Sequence, residues 1–307
     1  MPSARESRPW RPSRIRTRWR ARPPDHSRAL WALLIVLDIL PFPWGEDVLA
    51  GLFMIVGLAL PSRRRSALAW ARAQGAAAPW RLAARVCAFL GRWVARTRTL
   101  GVRRPEDLRD NLVVEGREHL TKVPGAAILL GFHLGPTGGD LTFRVLGFPV
   151  TFLGWRDRAA TAEWWSDAWR PFVDPARLSF AAARRERWSS VLYAARQMLL
   201  RGEKVYILAD GDGREAFSLP LSVGEWPMRA GWLTLHQLTG APVLPALRRL
   251  EGRRHVISIH PPLPPLAPGP ERDLDRWRDC LTSLVEDYIA RFPEQCPHLA
   301  LILRLTG

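Results

Sequence analysis

From residue 111 onward, short apolar runs rich in β-branched residues alternate with segments of helical periodicity. The predicted strands are Leu112–Glu115, Ala126–Gly131, Val150–Gly154, Lys204–Ala209, Val243–Leu247 and His255–Ile259. The predicted helices are Asp140–Leu146, Ala160–Phe172, Ser189–Arg201, Pro227–Leu238 and Leu274–Phe292. Alternation of this kind is typical of a layered domain, because each strand buries its faces under the helices that follow. The sequence therefore predicts an α/β domain over residues 111–307, a mixed sheet flanked by helices.

The first 65 residues differ in composition from the rest of the chain. Residues 1–28 hold nine arginines and predict a disordered basic arm. Residues 29–65 contain two apolar pieces, Ala29–Leu40 and Val48–Leu60, each shorter than the roughly 20 residues that a spanning helix needs. Arginine clusters lie at the two ends of this apolar stretch, in the arm before it and at Arg63–Arg65 after it, which predicts an apolar helical hairpin that anchors the chain on the cytoplasmic face of the cytoplasmic membrane. A buried helical pair in a soluble core is the alternative.

Residues 66–110 predict linker helices with an amphipathic pattern. Leu82, Val86 and Phe89 recur at helical spacing, with arginines between them. Such a helix can lie on a membrane surface or pack on a core, and the pattern fits both.

The charge of the chain limits its partners. It holds 45 Lys+Arg against 29 Asp+Glu, a formal net charge of +16, which favours an anionic membrane lipid, an acidic carrier or nucleic acid. Nucleic acid is the weakest of these, because the arginines are spread along the chain without a recognition motif. The three cysteines are too few for a disulfide framework and fit a reducing cytoplasm.

A predicted buried strand runs directly into His133, and a Gly/Pro-rich turn and a helix near Asp140 follow. Ligands of open α/β sheets bind beyond the carboxyl ends of the strands, where this imidazole would lie. It could take a proton from a substrate hydroxyl, with a carboxylate holding its other ring nitrogen. A structural role, with Asp140 as a helix cap, remains the alternative.

A second strand runs into Asp210, Asp212 and Gly213. The glycines match a dinucleotide fingerprint formally, but extended chain with Pro220 follows where that motif needs a helix. A metal site on the paired aspartates stays open, although Asp-Gly turns are common. The sequence contains no G-x-S-x-G, Walker A or H-E-x-x-H motif, so the usual signals of a serine hydrolase, a P-loop NTPase and a zincin are absent.

Several blocks between residues 111 and 265 occur in an order that points to a known family. They are Val114–Leu120, Gly125–Gly135, Gly147–Arg156, Gly202–Asp210, Leu219–Gly224, Thr239–Pro245 and Val256–Leu263. In this order they resemble the bacterial lipid A biosynthesis acyltransferases, the lauroyl/myristoyl branch of the lysophospholipid acyltransferase superfamily. The block TGAPVLP at Thr239–Pro245, for example, is close to the family's TGAPVVP.

The resemblance implies a glycerolipid acyltransferase-like fold and transfer of a fatty acyl group to a lipid hydroxyl. His133 would be the base and Asp140 would orient it. The family spacing is His-x4-Asp/Glu, whereas this chain has His-x6-Asp. If Asp140 does not reach His133, then Asp157, Asp210 or Asp212 could replace it.

The resemblance also implies the substrates. The co-substrate would be acyl-ACP or acyl-CoA, and the acceptor a glycolipid or phospholipid, with no metal and no other cofactor. The predicted substrate-binding residues are Gly135, Arg156, Asp210, Asp212 and Gly213. A lipid-binding or scaffold protein of the same fold, with altered catalysis, is the alternative function.

Overall fold

The computed structural model describes residues 44–100, 111–136, 143, 146–155, 182–183, 188–210, 214–266 and 274–302. The predicted basic arm, the apolar piece Ala29–Leu40 and the predicted helix Ala160–Phe172 lie outside these residues. Of the predicted helix Asp140–Leu146, only Phe143, in a helix, and Leu146, in a turn, are described.

Six strands form the central sheet. In chain order they are β1 (Leu112–Glu115), β2 (Ala127–Gly131), β3 (Val150–Phe152), β6 (Lys204–Leu208), β9 (Val243–Glu251) and β10 (Arg254–Ile259). Their order across the sheet is β1-β10-β9-β2-β6-β3. Strands β9, β2, β6 and β3 run parallel, while β10 is antiparallel to β9 and parallel to β1, so the predicted mixed sheet is confirmed.

The other strands form two small sheets. They are β4 (Gly154–Trp155) with β5 (Ala182–Ala183), and the hairpin of β7 (Glu215–Leu221) with β8 (Gly224–Arg229). The α-helices whose bounds lie within the described residues are α1 (Trp44–Ala59), α2 (Pro61–Ala73), α3 (Pro79–Leu100), α4 (Arg117–Thr121), α5 (Trp188–Leu200), α6 (Ala230–Thr239) and α7 (Asp275–Arg291). A 3₁₀ turn (Pro293–Gln295) and a π-helical turn (His298–Ile302) follow α7.

Two predicted boundaries differ from the structure by three residues or more, and each has a physical reason. The predicted helix Pro227–Leu238 begins only at Ala230, because Trp226 and Met228 point to the same buried face of β8 with the two-residue period of a strand. A proline is tolerated there because β8 pairs on one side only. The predicted strand Val243–Leu247 continues to Glu251, since the two arginines that follow it are buried and bonded within the fold.

The core lies on both faces of the sheet. Ile128 and Leu130 of β2 belong to the larger apolar cluster, under α5, α6 and α7, while Leu129 belongs to the smaller cluster on the opposite face. All five residues of β2 are buried, as a central parallel strand requires. This strand is therefore a rigid base for the residues that follow it.

The N-terminal helices join this core. Trp70 of α2 and Leu82 and Val86 of α3 belong to the larger apolar cluster, so the amphipathic face of α3 packs on the domain. Among the described helices, none is both long and apolar enough to cross a membrane by itself. Helices α1 and α2, bent by 99° at their junction, meet that length and composition criterion only as a pair.

Candidate active site

The site lies where two neighbouring parallel strands end. Strands β2 and β6 pair with Gly131 opposite Leu208. The amide of Ala209 donates to the carbonyl of Gly131 at 2.8 Å, which carries the pairing one residue further. His133 and Asp210 each follow their strand by two residues, so the register brings them side by side at the carboxyl edge of the sheet.

His133 and Asp210 form a hydrogen-bonded dyad. Nδ1 of His133 lies 3.0 Å from Oδ1 of Asp210. The backbone N–H of His133 also donates to both carboxylate oxygens, at 3.1 and 3.0 Å. Because an ionised carboxylate only accepts, this contact assigns the ring proton to Nδ1 and leaves Nε2 as the basic nitrogen.

The two side chains differ in exposure in the way that a base and its orienting group require. The Asp210 side chain is 0% exposed, whereas the His133 side chain is 17% exposed. Burial by itself would raise the pKa of Asp210, but the charge of His133 and its two kinds of hydrogen bond, together with the charge of His298, lower it below the usual aspartate value. The Asp210 carboxylate is therefore favoured as an anion, hydrogen-bonded to His133.

A third strand supports the turn that carries His133. Arg248 of β9 lies three residues beyond Pro245, which pairs with Leu130 of β2. Its buried guanidinium donates from Nη2 to the carbonyl of Phe132 at 2.8 Å. The hydroxyl of Tyr288 donates in turn to the Arg248 carbonyl at 2.7 Å. These bonds fix the backbone immediately before His133.

Gly135 is packed rather than open. Its φ is +68°, and a Cβ at this position would approach the carbonyl oxygen of Arg248 to 1.9 Å. Its N–H donates to the main-chain carbonyl of Gln295 at 2.9 Å. The sequence predicts that Gly135 contacts substrate. The structure shows a close approach between the backbones of Gly135 and Arg248 that only glycine permits.

His298 is the third polar residue of the site. Its ring stacks on the ring of His133, with centroids 4.6 Å apart and planes inclined by 20°. His133, Asp210 and His298 can each offer one ligand atom, all within 4.8 Å of one another, which is the only such metal-ligand group in the described part of the chain. A histidine binds a metal through a nitrogen lone pair that lies in the plane of its ring. Because the planes of the two rings are nearly parallel, these lone pairs do not meet at one point, so a shared ion would require one ring to rotate. The arrangement fits proton transfer better than metal binding.

The remaining predicted site residues lie outside the described residues. These are Asp140, Arg156, Asp212 and Gly213, and Asp157, a possible replacement partner, lies there too. Of the possible partners of His133, Asp210 is the one that the structure describes, and it contacts the imidazole. Asp210 was predicted to bind substrate, and among the described residues its covered carboxylate is hydrogen-bonded to His133.

Two contributors to the site carried little sequence signal. In the sequence, Arg248 is one of two arginines that follow a predicted strand. It supports the turn of His133 only because β9 pairs with β2 and brings its guanidinium to the carbonyl of Phe132. His298 stands in a C-terminal segment without a motif. Asp210 did have a signal, since both His133 and Asp210 follow buried strands by two residues.

Comparisons with known proteins find similarity among solved structures. No known protein family and no curated protein matches the sequence. Among solved structures, the chain is similar to the crystal structure of the 1-acyl-sn-glycerophosphate (LPA) acyltransferase PlsC from Thermotoga maritima, with 15% identity and a TM-score of 0.40. The similarity covers 84% of this chain and 96% of that one.

Proposed function

We propose that the protein is a membrane-associated O-acyltransferase that moves a fatty acyl group from acyl-ACP or acyl-CoA to a hydroxyl of a glycolipid or phospholipid. The observation that carries the proposal is the dyad of a partly exposed His133 and a fully buried Asp210 at the carboxyl edge of the sheet. The ordered sequence blocks that resemble the lipid A biosynthesis acyltransferases support it independently.

The dyad can perform the proton transfers of such a reaction. Nε2 of His133 takes the proton of the acceptor hydroxyl while the hydroxyl oxygen forms a bond to the thioester carbonyl carbon. The tetrahedral intermediate then collapses, the C–S bond breaks, and the proton on Nε2 passes to the departing thiolate. The products are an ester and a free thiol. Asp210 keeps its charge throughout, holds the Nδ1–H tautomer and stabilises the transient imidazolium.

Two backbone N–H groups of the turn, those of His133 and Gly135, already have acceptors within the protein, so the proposal takes the donors for the developing oxyanion from elsewhere. The N–H groups of His133 and Gly135 donate to Asp210 and Gln295 respectively. In the proposal, Arg156 supplies this positive charge or holds a phosphate of the acceptor, and the turn that contains Asp212 and Gly213 contacts substrate.

The charge and the N-terminal helices support the choice of partners. A net charge of +16 favours an acidic acyl carrier protein or the phosphates of CoA, and an anionic lipid surface. In α1, Trp44, Val48 and Ile55 are exposed apolar residues, and Arg63–Arg65 follow at the start of α2. This combination fits a helix that lies in the cytoplasmic face of the membrane with its basic neighbours at the headgroups. No cofactor beyond the acyl thioester enters the proposed reaction.

The direct test is acyl transfer by the purified full-length protein. Lauroyl-ACP and palmitoyl-CoA serve as donors, and a lysophospholipid and a glucosamine-based phospholipid as acceptors. We expect His133→Ala to lower turnover by about 10²–10⁴-fold, the usual cost of losing a general base. His119→Ala, which alters a half-buried histidine of α4 outside the dyad, is the matched control and should leave turnover unchanged. Turnover by His133→Ala within a few-fold of the wild type would refute the catalytic role and favour a lipid-binding or scaffold protein.

A pair of isosteric variants identifies the partner of His133. Asp210→Asn keeps the size of the side chain but removes its charge, so turnover should fall about 10²–10⁴-fold, the scale seen when a catalytic triad loses its carboxylate. Asp140→Asn preserves any helix cap, because asparagine caps about as well as aspartate, and should be nearly silent. A large loss with Asp140→Asn and none with Asp210→Asn would reverse the assignment.

A further inference from the structure

The segment Pro293–His298, here called the C-terminal bracket, is bonded to three separate parts of the fold. The indole N–H of Trp70 donates to the carbonyl of Pro293 at 3.0 Å, and Arg85 forms an ion pair with Glu294. Gln295 is buried, and its side-chain amide bonds both the N–H and the carbonyl of Leu250 at 2.8 Å. The bracket is therefore a fixed element that connects α2 and α3 with β9.

The same bracket is bonded directly to the turn that carries the base. The Gln295 carbonyl accepts the N–H of Gly135, two residues after His133. Three residues further along the bracket, His298 places its ring against that of His133. Both stacked rings are therefore attached to backbone that hydrogen bonds hold in place, His133 on its turn and His298 on the bracket.

The stack restrains a motion that the dyad leaves open. The hydrogen bond from Nδ1 to Asp210 holds one edge of the His133 ring. A single bond at one edge permits the ring to rock about that edge, which moves the opposite nitrogen, Nε2, sideways. A ring packed on its face, 4.6 Å away and inclined by only 20°, blocks that rocking on one side.

We infer that His298 is a positioning residue of the active site, whose flat ring holds the imidazole of His133 so that Nε2 faces the acceptor hydroxyl. The inference rests on the proposed acyl transfer. The contribution of the stacked ring to the placement of Nε2 is geometric and separate from the charge that His298 presents to Asp210, so any flat ring of similar size at position 298 can supply it. It acts in the chemical step, because a misplaced base slows proton transfer without changing how substrates bind.

The test compares two substitutions at one position in the full-length protein. His298→Ala removes the ring, and we expect kcat to fall about 10–100-fold with KM unchanged, the size that small misplacements of a catalytic group produce. His298→Phe retains a flat ring and should restore kcat to near the wild-type value. Thermal unfolding of both variants shows whether the fold is retained, and the expected melting temperatures are alike.

A second readout does not depend on activity. With ¹³C-labelled histidine, the ring protons of His133, assigned from the spectrum of His133→Ala, should carry a ring-current shift in the wild type. His298→Ala should abolish that shift and His298→Phe should preserve it. Absence of the shift in the wild type would overturn the stack itself.

The remaining outcomes separate the inference from the proposed function. An unchanged kcat in His298→Ala, or a kcat in His298→Phe as low as in His298→Ala, would overturn the positioning role while the acyltransferase proposal stands. The second of these results would give the imidazole of His298 a chemical role instead. A wild-type protein that shows the ring-current shift but no acyl transfer would refute the proposed function, and with it the catalytic role inferred here.

Discussion

At the scale of single residues, the site depends on two positions with little freedom. Asp210 is a fully covered carboxylate whose hydrogen bonds in the described structure all come from His133. Gly135 lies in the left-handed region, against the backbone of Arg248. We expect neither position to tolerate substitution, Asp210 because of its charge and Gly135 because of the space around it.

The constraint at Gly135 can be measured against a glycine of identical φ. Gly135→Ala combines left-handed strain with a Cβ 1.9 Å from a backbone oxygen, whereas Gly240, also at φ +68°, has nothing within 4 Å of its Cβ position. We expect Gly240→Ala to lower the free energy of unfolding by about 1 kcal/mol and Gly135→Ala by more than about 2 kcal/mol. Urea titration measures both. Equal losses would show that the close approach to Arg248 has no cost.

The lowered pKa of Asp210 predicts a dependence of stability on pH. Because the folded state holds the proton of Asp210 less tightly than the unfolded chain does, its contribution is complete above the unfolded pKa of about 3.9 and is lost as the pH falls through the folded pKa. The difference in unfolding free energy between wild type and Asp210→Asn should therefore be larger near pH 5 than near pH 3. Denaturant titrations at the two pH values test this, and a constant difference would contradict the lowered pKa.

At the scale of elements, the site is assembled from strand ends and the C-terminal bracket. Strand β6 supplies Asp210, β2 supplies His133, and β9 supplies the arginine that holds the turn. The bracket closes the site from the far end of the chain, and its attachment depends on the two hydrogen bonds between Gln295 and Leu250.

The attachment of the bracket can be tested through Gln295. Gln295→Leu keeps the approximate volume but leaves the N–H and the carbonyl of Leu250 without these partners, which costs about 1–3 kcal/mol for each buried group. We expect a loss of at least about 2 kcal/mol in the free energy of unfolding. Gln237→Leu, on an exposed position of α6, should change stability by less than about 0.5 kcal/mol. Similar effects of the two substitutions would mean that the bracket adds no stability.

At the scale of the whole molecule, α1 is distinguished by the apolar side chains that it leaves exposed. Helices α2 and α3 contribute to the core, so deleting residues 1–65 would cut through α2 and disturb packing as well as any membrane contact. Point substitutions on exposed residues of α1 separate the two effects.

Membrane association predicts that an exposed residue of α1 contributes to lipid binding. Ile55 is 64% exposed and Leu238 of α6 is 55% exposed, so their folded-state environments are matched. Ile55→Glu should weaken binding to phosphatidylglycerol-containing vesicles about 10–100-fold, since burial of such a side chain contributes about 1.5–3 kcal/mol. Leu238→Glu should have no effect in the same flotation assay. Binding that is equal for both variants, or that high salt releases fully, would exclude burial of α1 as the source of the affinity.

The sequence by itself determined the elements and the candidate base. Periodicity predicted all six strands of the central sheet within a few residues, because burial on both faces leaves β-branched, apolar runs that are readable locally. It also placed His133 and Asp210 at the ends of buried strands. The boundaries it missed depend on tertiary contacts that local patterns do not contain. They are Ala230, where Trp226 and Met228 of β8 are buried, and Glu251, where Arg248 and Arg249 are bonded within the fold.

Only the tertiary structure decided which carboxylate meets His133. Asp210, 77 residues away in the chain, makes the hydrogen bond because β6 lies directly beside β2, while Asp140, the nearest acid that follows His133, lies outside the described residues. The intervening strand β3 pairs on the outer side of β6, and no local pattern records that order. The same holds for His298, whose ring reaches His133 through the attachment of the bracket to β9. Periodicity is a property of neighbours in the chain, whereas the order of strands is set by how the helices between them pack across the sheet.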